Sequence, residues 1–216
     1  MNLSQSQINS YLNCPKCYQL RYVLNIKSPI KSEAMEFGSQ VHSKIAQKQF
    51  ESEDPQEHKM LQTAKEILQS MPEDAIFESS YESKVNLGKI YGEVLGHKAV
   101  AILDVHWPDI AVVRDWKTGK FHGEKYTDQY EIQTFFCGEL FSSKYDRPLE
   151  AMYFDFLPVK HTYSAKILKE SKTRSRIEYK IKQALNSIEK EIFQPKKGPL
   201  CSYCEYSFCC ESLECL

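Results

Sequence analysis

Nowhere in the 216 residues does an apolar run approach the roughly 18 that a membrane-spanning helix requires. The opening stretch, MNLSQSQINSYLNCPKCYQL, lacks the basic start and apolar core of a secretory leader. Internal repeats, low-complexity tracts and a clear interdomain linker are also missing. These absences lead to the expectation of one domain over residues 1–216, in a cytoplasmic, reducing compartment with no membrane partner. Net charge is nearly absent too, since 28 Lys and Arg against 29 Asp and Glu give -1. That balance argues neither for nor against nucleic acid. Its distribution is uneven, because residues 160–197 hold 11 Lys and Arg against 4 Asp and Glu. Two readings stand: a surface that tracks a phosphate backbone, or the solvated face of a helix.

What is present in quantity is cysteine. Eight occur, at positions 14, 17, 137, 201, 204, 209, 210 and 215. A reducing compartment disfavours disulfides, so clustering at the two ends of the chain points to metal. Cys201-x2-Cys204-x5-Cys210 is a three-ligand run that needs a fourth thiolate from elsewhere. Four thiolates hold either zinc or a 4Fe–4S cluster, and spacing does not choose between them. Cys17, Cys209 and Cys215 are rival ligands, and Cys137 reads as core.

With 42% hydrophobic and 26% charged residues, a folded globular chain is expected. Ser4-Gln5-Ser6-Gln7 has the S-x-x-Q form of a capping box, so a helix starts near Gln5 and, interrupted at Pro15, runs to about Val23. Helical spacing predicts further helices over about 33–50 and from Met60 to Met71, ending before Pro72. Strands follow at 76–86 and 90–95. HKAVAILDVHW (97–107) is almost continuously apolar through Val105, as for a strand buried on both faces. With IAVVRDW (110–116) it forms a hairpin turned at Pro108-Asp109. A helix over about 127–143, strands at 149–159 and 162–168, and a helix over about 173–193 complete the order. The fold class is α/β with one mixed sheet.

The stretch VVRDWKTGK (112–120) ends a strand with Asp115 and Lys117 on the same face, because residues i and i+2 of a strand point the same way. Asp104 interrupts the most apolar strand of the chain, where an unpartnered carboxylate is costly. Two carboxylates on adjacent strands beside a lysine form a site for a hard cation, Mg²⁺ or Mn²⁺. Such a metal polarises a phosphodiester and acidifies a bound water, while Lys117 orients that water or stabilises transition-state charge. Gln133 falls on the apolar stripe of its helix with Tyr130, Cys137 and Leu140. His42 neighbours Val41 in FGSQVHSKI, where a satisfied core histidine is the plain alternative.

The ordered set LNCPKCYQLRYVL (12–24), FGSQVHSKI (37–45), GHKAVAILD (96–104), VVRDWKTGK (112–120), YEIQTFF (130–136) and CSYCEYSFCC (201–210) resembles the RecB-like branch of the PD-(D/E)XK nucleases. It is most similar to the iron–sulfur members, the CRISPR-associated RecB-like exonucleases and the nuclease domain of AddB. The resemblance implies a restriction-endonuclease-like mixed sheet flanked by helices. It implies His42, Asp104 and Asp115 as metal ligands, with the Trp116 carbonyl as an extra one. Lys117 is the catalytic lysine and Gln133 the glutamine of Q-x-x-x-Y. Cys137 departs from that motif by replacing its tyrosine, so Phe136 or Tyr130 takes over its packing or DNA contact. Ala101, where glycine is frequent, is a smaller departure. Cys14, Cys201, Cys204 and Cys210 are implied as ligands of a 4Fe–4S cluster in preference to zinc. Residues 1–24 and 195–216 then form a cysteine clasp.

The function implied is a metal-dependent DNA nuclease, an exonuclease on single-stranded ends with 5′ to 3′ polarity favoured and some endonuclease activity. Its partners are DNA and a helicase, recombination or integrase protein. A non-catalytic nucleic-acid-binding or scaffold subunit that keeps the fold is the alternative, motivated by Cys137. A cysteine–metal redox protein is a third reading, which leaves the acidic hairpin without a role.

Overall fold

The computed structural model describes residues 2–28, 33–77, 88–123, 127–166, 169–198, 201 and 204–210. The first helix, α1 (Gln5–Asn13), starts where the S-x-x-Q pattern places it. The Ser4 hydroxyl accepts from the Gln7 N–H, and the Gln7 side chain accepts from the Ser4 N–H. Pro15 opens the short α2 (Pro15–Tyr18), and the chain widens into one π turn over Gln19–Val23. Next come α3 (Glu33–Ala46) and α4 (Pro55–Gln69), the latter capped by Asp54 with proline at its first turn.

The strands are β1 (Ile76–Phe77), β2 (Lys89–Val94), β3 (His97–Ile102), β4 (Val105–Trp107) and β5 (Val112–Lys117). Then follow α5 (Asp128–Tyr145), β6 (Ala151–Phe156), a 3-10 turn (Leu157–Val159), β7 (His161–Ser164), α6 (Ser171–Glu189) and the short α7 (Ser207–Cys210). Five strands form one sheet in the order β1-β4-β5-β6-β7, and β2 pairs with β3 in a separate hairpin. Only β5 and β6 run parallel in the five-stranded sheet. A parallel pair needs a crossover, and α5 is that crossover. The architecture is the mixed sheet flanked by helices that the sequence predicts. Beyond Phe77, the expected strand 76–86 lies outside the described residues.

The expected continuous strand over 97–107 is corrected. It is two strands in two different sheets, broken at Leu103-Asp104. The apolar run is continuous because β3 and β4 follow end to end, not because one strand is buried on both faces. Along β3 burial alternates, and only β4 is buried throughout. At the break the Asp104 carboxylate accepts from the Trp116 N–H at 2.7 Å, a side-chain bond to the backbone where the ladder would have continued. Only β4 and β5 form the predicted hairpin, with Val105 opposite Arg114 and Trp107 opposite Val112.

Each face of the sheet has its own core. On one, Val113, Met152, Phe154 and Phe156 pack with α1, α5, α6 and the β2–β3 hairpin. On the other, Val105, Trp107 and Trp116 pack with Val41 and Ile45 of α3 and Met60, Leu61 and Ala64 of α4. Covered from several sides, α5 is buried almost all round, including the polar Glu131, Gln133 and Thr134. Part of the basic stretch is answered by acids: Arg174 pairs with Glu139, Arg176 and Lys180 with Asp128, Lys182 with Glu178, and Lys160 with Glu66. Much of that charge ties α6 to α5.

Candidate functional site

Alternation along β5 sends Val113, Asp115 and Lys117 to the α5 side of the sheet. Val113 enters the core there, but Asp115 meets Gln133, which α5 presents inward. Gln133 Nε2 donates to Asp115 Oδ1 at 2.5 Å, and Gln133 Oε1 accepts from Lys117 Nζ at 3.4 Å. Lys117 Nζ stands 2.6 Å from Asp115 Oδ2. This oxygen is buried and receives no well-aligned hydrogen bond among the described residues, so the ammonium balances it through charge. The amide thus holds acid and lysine at once. The rings of Tyr130 and Phe154 wall the ammonium, with centroids 5.6 and 5.3 Å from Nζ.

The second half of the site comes from α3 and the break between β3 and β4. His42 Nδ1 lies 3.2 Å from Asp104 Oδ1, while Asp104 Oδ2 takes the Trp116 N–H. That peptide N–H joins the halves, because Trp116 lies between Asp115 and Lys117. His42 is therefore not a histidine satisfied within an apolar core. Gly38, one helical turn before His42, faces Thr118: a β-carbon at residue 38 would stand 3.0 Å from Thr118 Oγ1. The missing side chain lets α3 approach the end of β5. Sequence reasoning passed over Gly38, since an isolated glycine in a helix carries no signal of what faces it.

Charge ties the halves together as well. Burial opposes the His42 imidazolium, but the Asp104 carboxylate, its hydrogen bond and the Asp115 charge together carry its pKa up to about 9. Burial likewise opposes ionised Asp104, yet His42 and the Trp116 N–H hold its pKa below the usual carboxylate range. Asp115 is pushed up by burial and by Asp104, against the pull of Lys117. Burial opposes the Lys117 ammonium, and the two aspartates overcome it, raising its pKa.

Among the described residues, no three His, Cys, Asp or Glu side chains stand gathered as a ready-made metal cage. Asp104 and Asp115 are turned toward protein cations instead. The donor set nevertheless suits a hard ion, with carboxylate oxygens, one of them buried without an aligned donor, and an imidazole. Phe136 is fully buried and so makes no contact with DNA, whereas Tyr130 flanks Lys117. Cys137 is core, and burial raises its pKa.

The cysteines of the two chain ends also meet. Cys17 Sγ lies 3.3 Å from Cys204 Sγ, and burial, with the neighbouring Cys14, Cys204 and Cys201, raises the pKa of Cys210. The closest of these contacts belongs to Cys17 rather than to Cys14. Around them Leu20 and Tyr206 form a small core, Arg21 pairs with Glu205, and its guanidinium lies over the Tyr22 and Tyr206 rings. The side chains of Cys209 and Cys215 lie outside what is described. No helix among the described residues is long and apolar enough to cross a membrane.

Compared with known proteins, residues 2–101 and 102–211 match the family described as the PD-(D/E)XK nuclease superfamily. No curated protein matches the chain.

Proposed function

We propose that this chain, which belongs to the PD-(D/E)XK nuclease superfamily, is a Mg²⁺- or Mn²⁺-dependent deoxyribonuclease whose active site is His42, Asp104, Asp115, Lys117 and Gln133. It acts as an exonuclease on single-stranded ends, 5′ to 3′, in the manner of the RecB-like members it resembles. The observation that carries the reading is the ring Gln133–Asp115–Lys117, in which one buried amide fixes a carboxylate and an ammonium side by side.

His42, Asp104 and Asp115 would hold the metal by exchanging their internal partners for it. When bound, the ion supplies Lewis acidity to the phosphodiester and a more acidic water. The protein's own part is positional. Lys117, kept charged by Asp115 and Asp104, sets a positive charge where the attacked phosphate gains negative charge. Gln133 prevents the lysine and the acid from turning away. The Trp116 N–H fixes Asp104, so the two carboxylates are referenced to the same strand.

The cysteines of the two ends are proposed as a 4Fe–4S clasp. Their thiolates are the right donors, and Cys17 competes with Cys14 for the N-terminal ligand position.

Cleavage of end-labelled single-stranded DNA tests the active site. Lys117→Ala is expected to lower the rate by about 10²–10³, the scale of losing one charge-stabilising donor, with thermal melting still cooperative. Asp115→Ala is expected to abolish cleavage in either metal. Undiminished cleavage by cleanly folded Lys117→Ala overturns the assignment. Metal-independent binding of DNA without turnover, by the unmutated protein in both metals, favours the scaffold reading.

A further inference from the structure

The row of residues that carries Lys117 does not stop at β5. In register, Lys117 stands beside Phe156 on β6, and Phe156 beside His161 on β7. At about 4.8 Å per strand, His161 sits roughly 10 Å from Lys117 along that row. Phe121, in the turn after β5, lays its ring against His161 with centroids 4.3 Å apart and planes at 28°. Its other neighbours are Phe156 at 4.9 Å and Tyr163 at 6.0 Å. Phe156 and Tyr163 are buried, Phe121 is half-buried and His161 is exposed. A column of rings therefore rises from the core and presents its last member to solvent on the β7 edge of the sheet, two strands from Lys117. The His161 ring makes no hydrogen bond among the described residues, so ring contact sets its orientation. Lys120, exposed beside Phe121, adds positive charge at the same edge.

We infer that His161, backed by Phe121, is a stacking platform for an unpaired nucleobase adjoining the phosphate that Lys117 faces. The inference rests on the nuclease reading above and names what that site selects. A base without a partner offers its π face to an aromatic ring whatever its sequence, while a base inside a duplex has both faces covered. The platform thus favours single strands without reading their sequence.

The test is fluorescence anisotropy of the full chain with a labelled single strand of mixed sequence and with the corresponding blunt duplex, in chelator so that nothing is cut. His161→Ala and Phe121→Ala are expected to weaken single-strand binding about fivefold or more, the scale of one lost base stack, and duplex binding less than about twofold. His161→Tyr keeps an aromatic face and retains affinity, whereas His161→Lys offers charge without a ring and does not. Unchanged single-strand affinity in His161→Ala overturns the inference, and because that residue is exposed the variant does not depend on Phe121→Ala folding. Equal losses on both DNAs, rescue by lysine but not tyrosine, or no single-strand affinity in the unmutated protein overturn it as well. Cleavage by Lys117→Ala is measured separately, so the platform survives a failed active-site assignment if its own binding pattern holds.

Discussion

The imidazole of His42 is half of an ion pair, and its position in the fold sets a pH window. In the folded chain its pKa is raised to about 9, against roughly 6.5 when unfolded. Its contribution to stability is therefore full below about pH 6.5 and lost as pH rises through 9. Asp104 has the opposite sign: its lowered folded pKa contributes above the ordinary carboxylate range, and that contribution is lost as pH falls through the range to the lower folded value. Denaturant unfolding of the metal-free protein is expected to lose about 1–2 kcal/mol between pH 6.5 and 9, and His42→Asn should flatten that loss. A metal that takes His42 as ligand must also displace its proton. Titration calorimetry in buffers of different ionisation enthalpy should therefore show proton release on Mn²⁺ addition, and His42→Asn should remove it. At this scale much of the candidate site's geometry was legible. Asp115 and Lys117 announce themselves by strand alternation, and Gln133 by standing on an apolar helical stripe. The link through the Trp116 N–H was not legible, because a peptide group carries no side-chain signal of its partner.

Among the elements, α3 does most to complete the site, since it alone brings His42 to a strand break more than 60 residues away in the chain. It reaches that position because residue 38 has no side chain against Thr118. Gly38→Val is expected to displace α3 and lower cleavage about tenfold or more, as angstrom-scale misplacement of a reacting group does. The melting temperature should fall far less, because a β-branched residue recovers some of the helix propensity that glycine lacks. Steady-state cleavage alongside thermal melting separates the two effects. Some helix boundaries followed from caps and prolines: Ser4 and Pro15 act locally, and local chemistry is visible in a sequence, whereas α4 begins at Pro55 under its Asp54 cap, ahead of the Met60 from which apolar spacing places it. The division of 97–107 between two sheets was not visible, because an apolar run records burial but not which neighbour provides it. Nor did the sequence reveal that Arg174, Arg176 and Lys180 face acids on α5, since each acid lies 35 or more residues away.

Over the whole molecule the two chain ends are joined, with Cys17 against Cys204 across 187 positions. Purified without oxygen, the protein is expected to be brown and to contain iron and labile sulfide. Cys204→Ser should lose both and melt lower, because metal-binding energy at such a clasp is folding energy. Stoichiometric zinc in colourless protein would replace the cluster assignment. Spacing showed that thiolates gather at the ends, but not which partner from the N-terminal pair lies nearest. The molecule's charge is nearly cancelled, at -1, and its resting centre repeats that balance, with two carboxylates answered by an imidazolium and an ammonium. The neutral centre itself then exerts little net pull on either a dication or a nucleic acid, and on the proposed function capture there would depend on short contact. On the proposed function, a dication and a phosphate would each supply the charge the other needs, so each would tighten the grip on the other, and a strand end that failed to seat would leave the centre locked on itself.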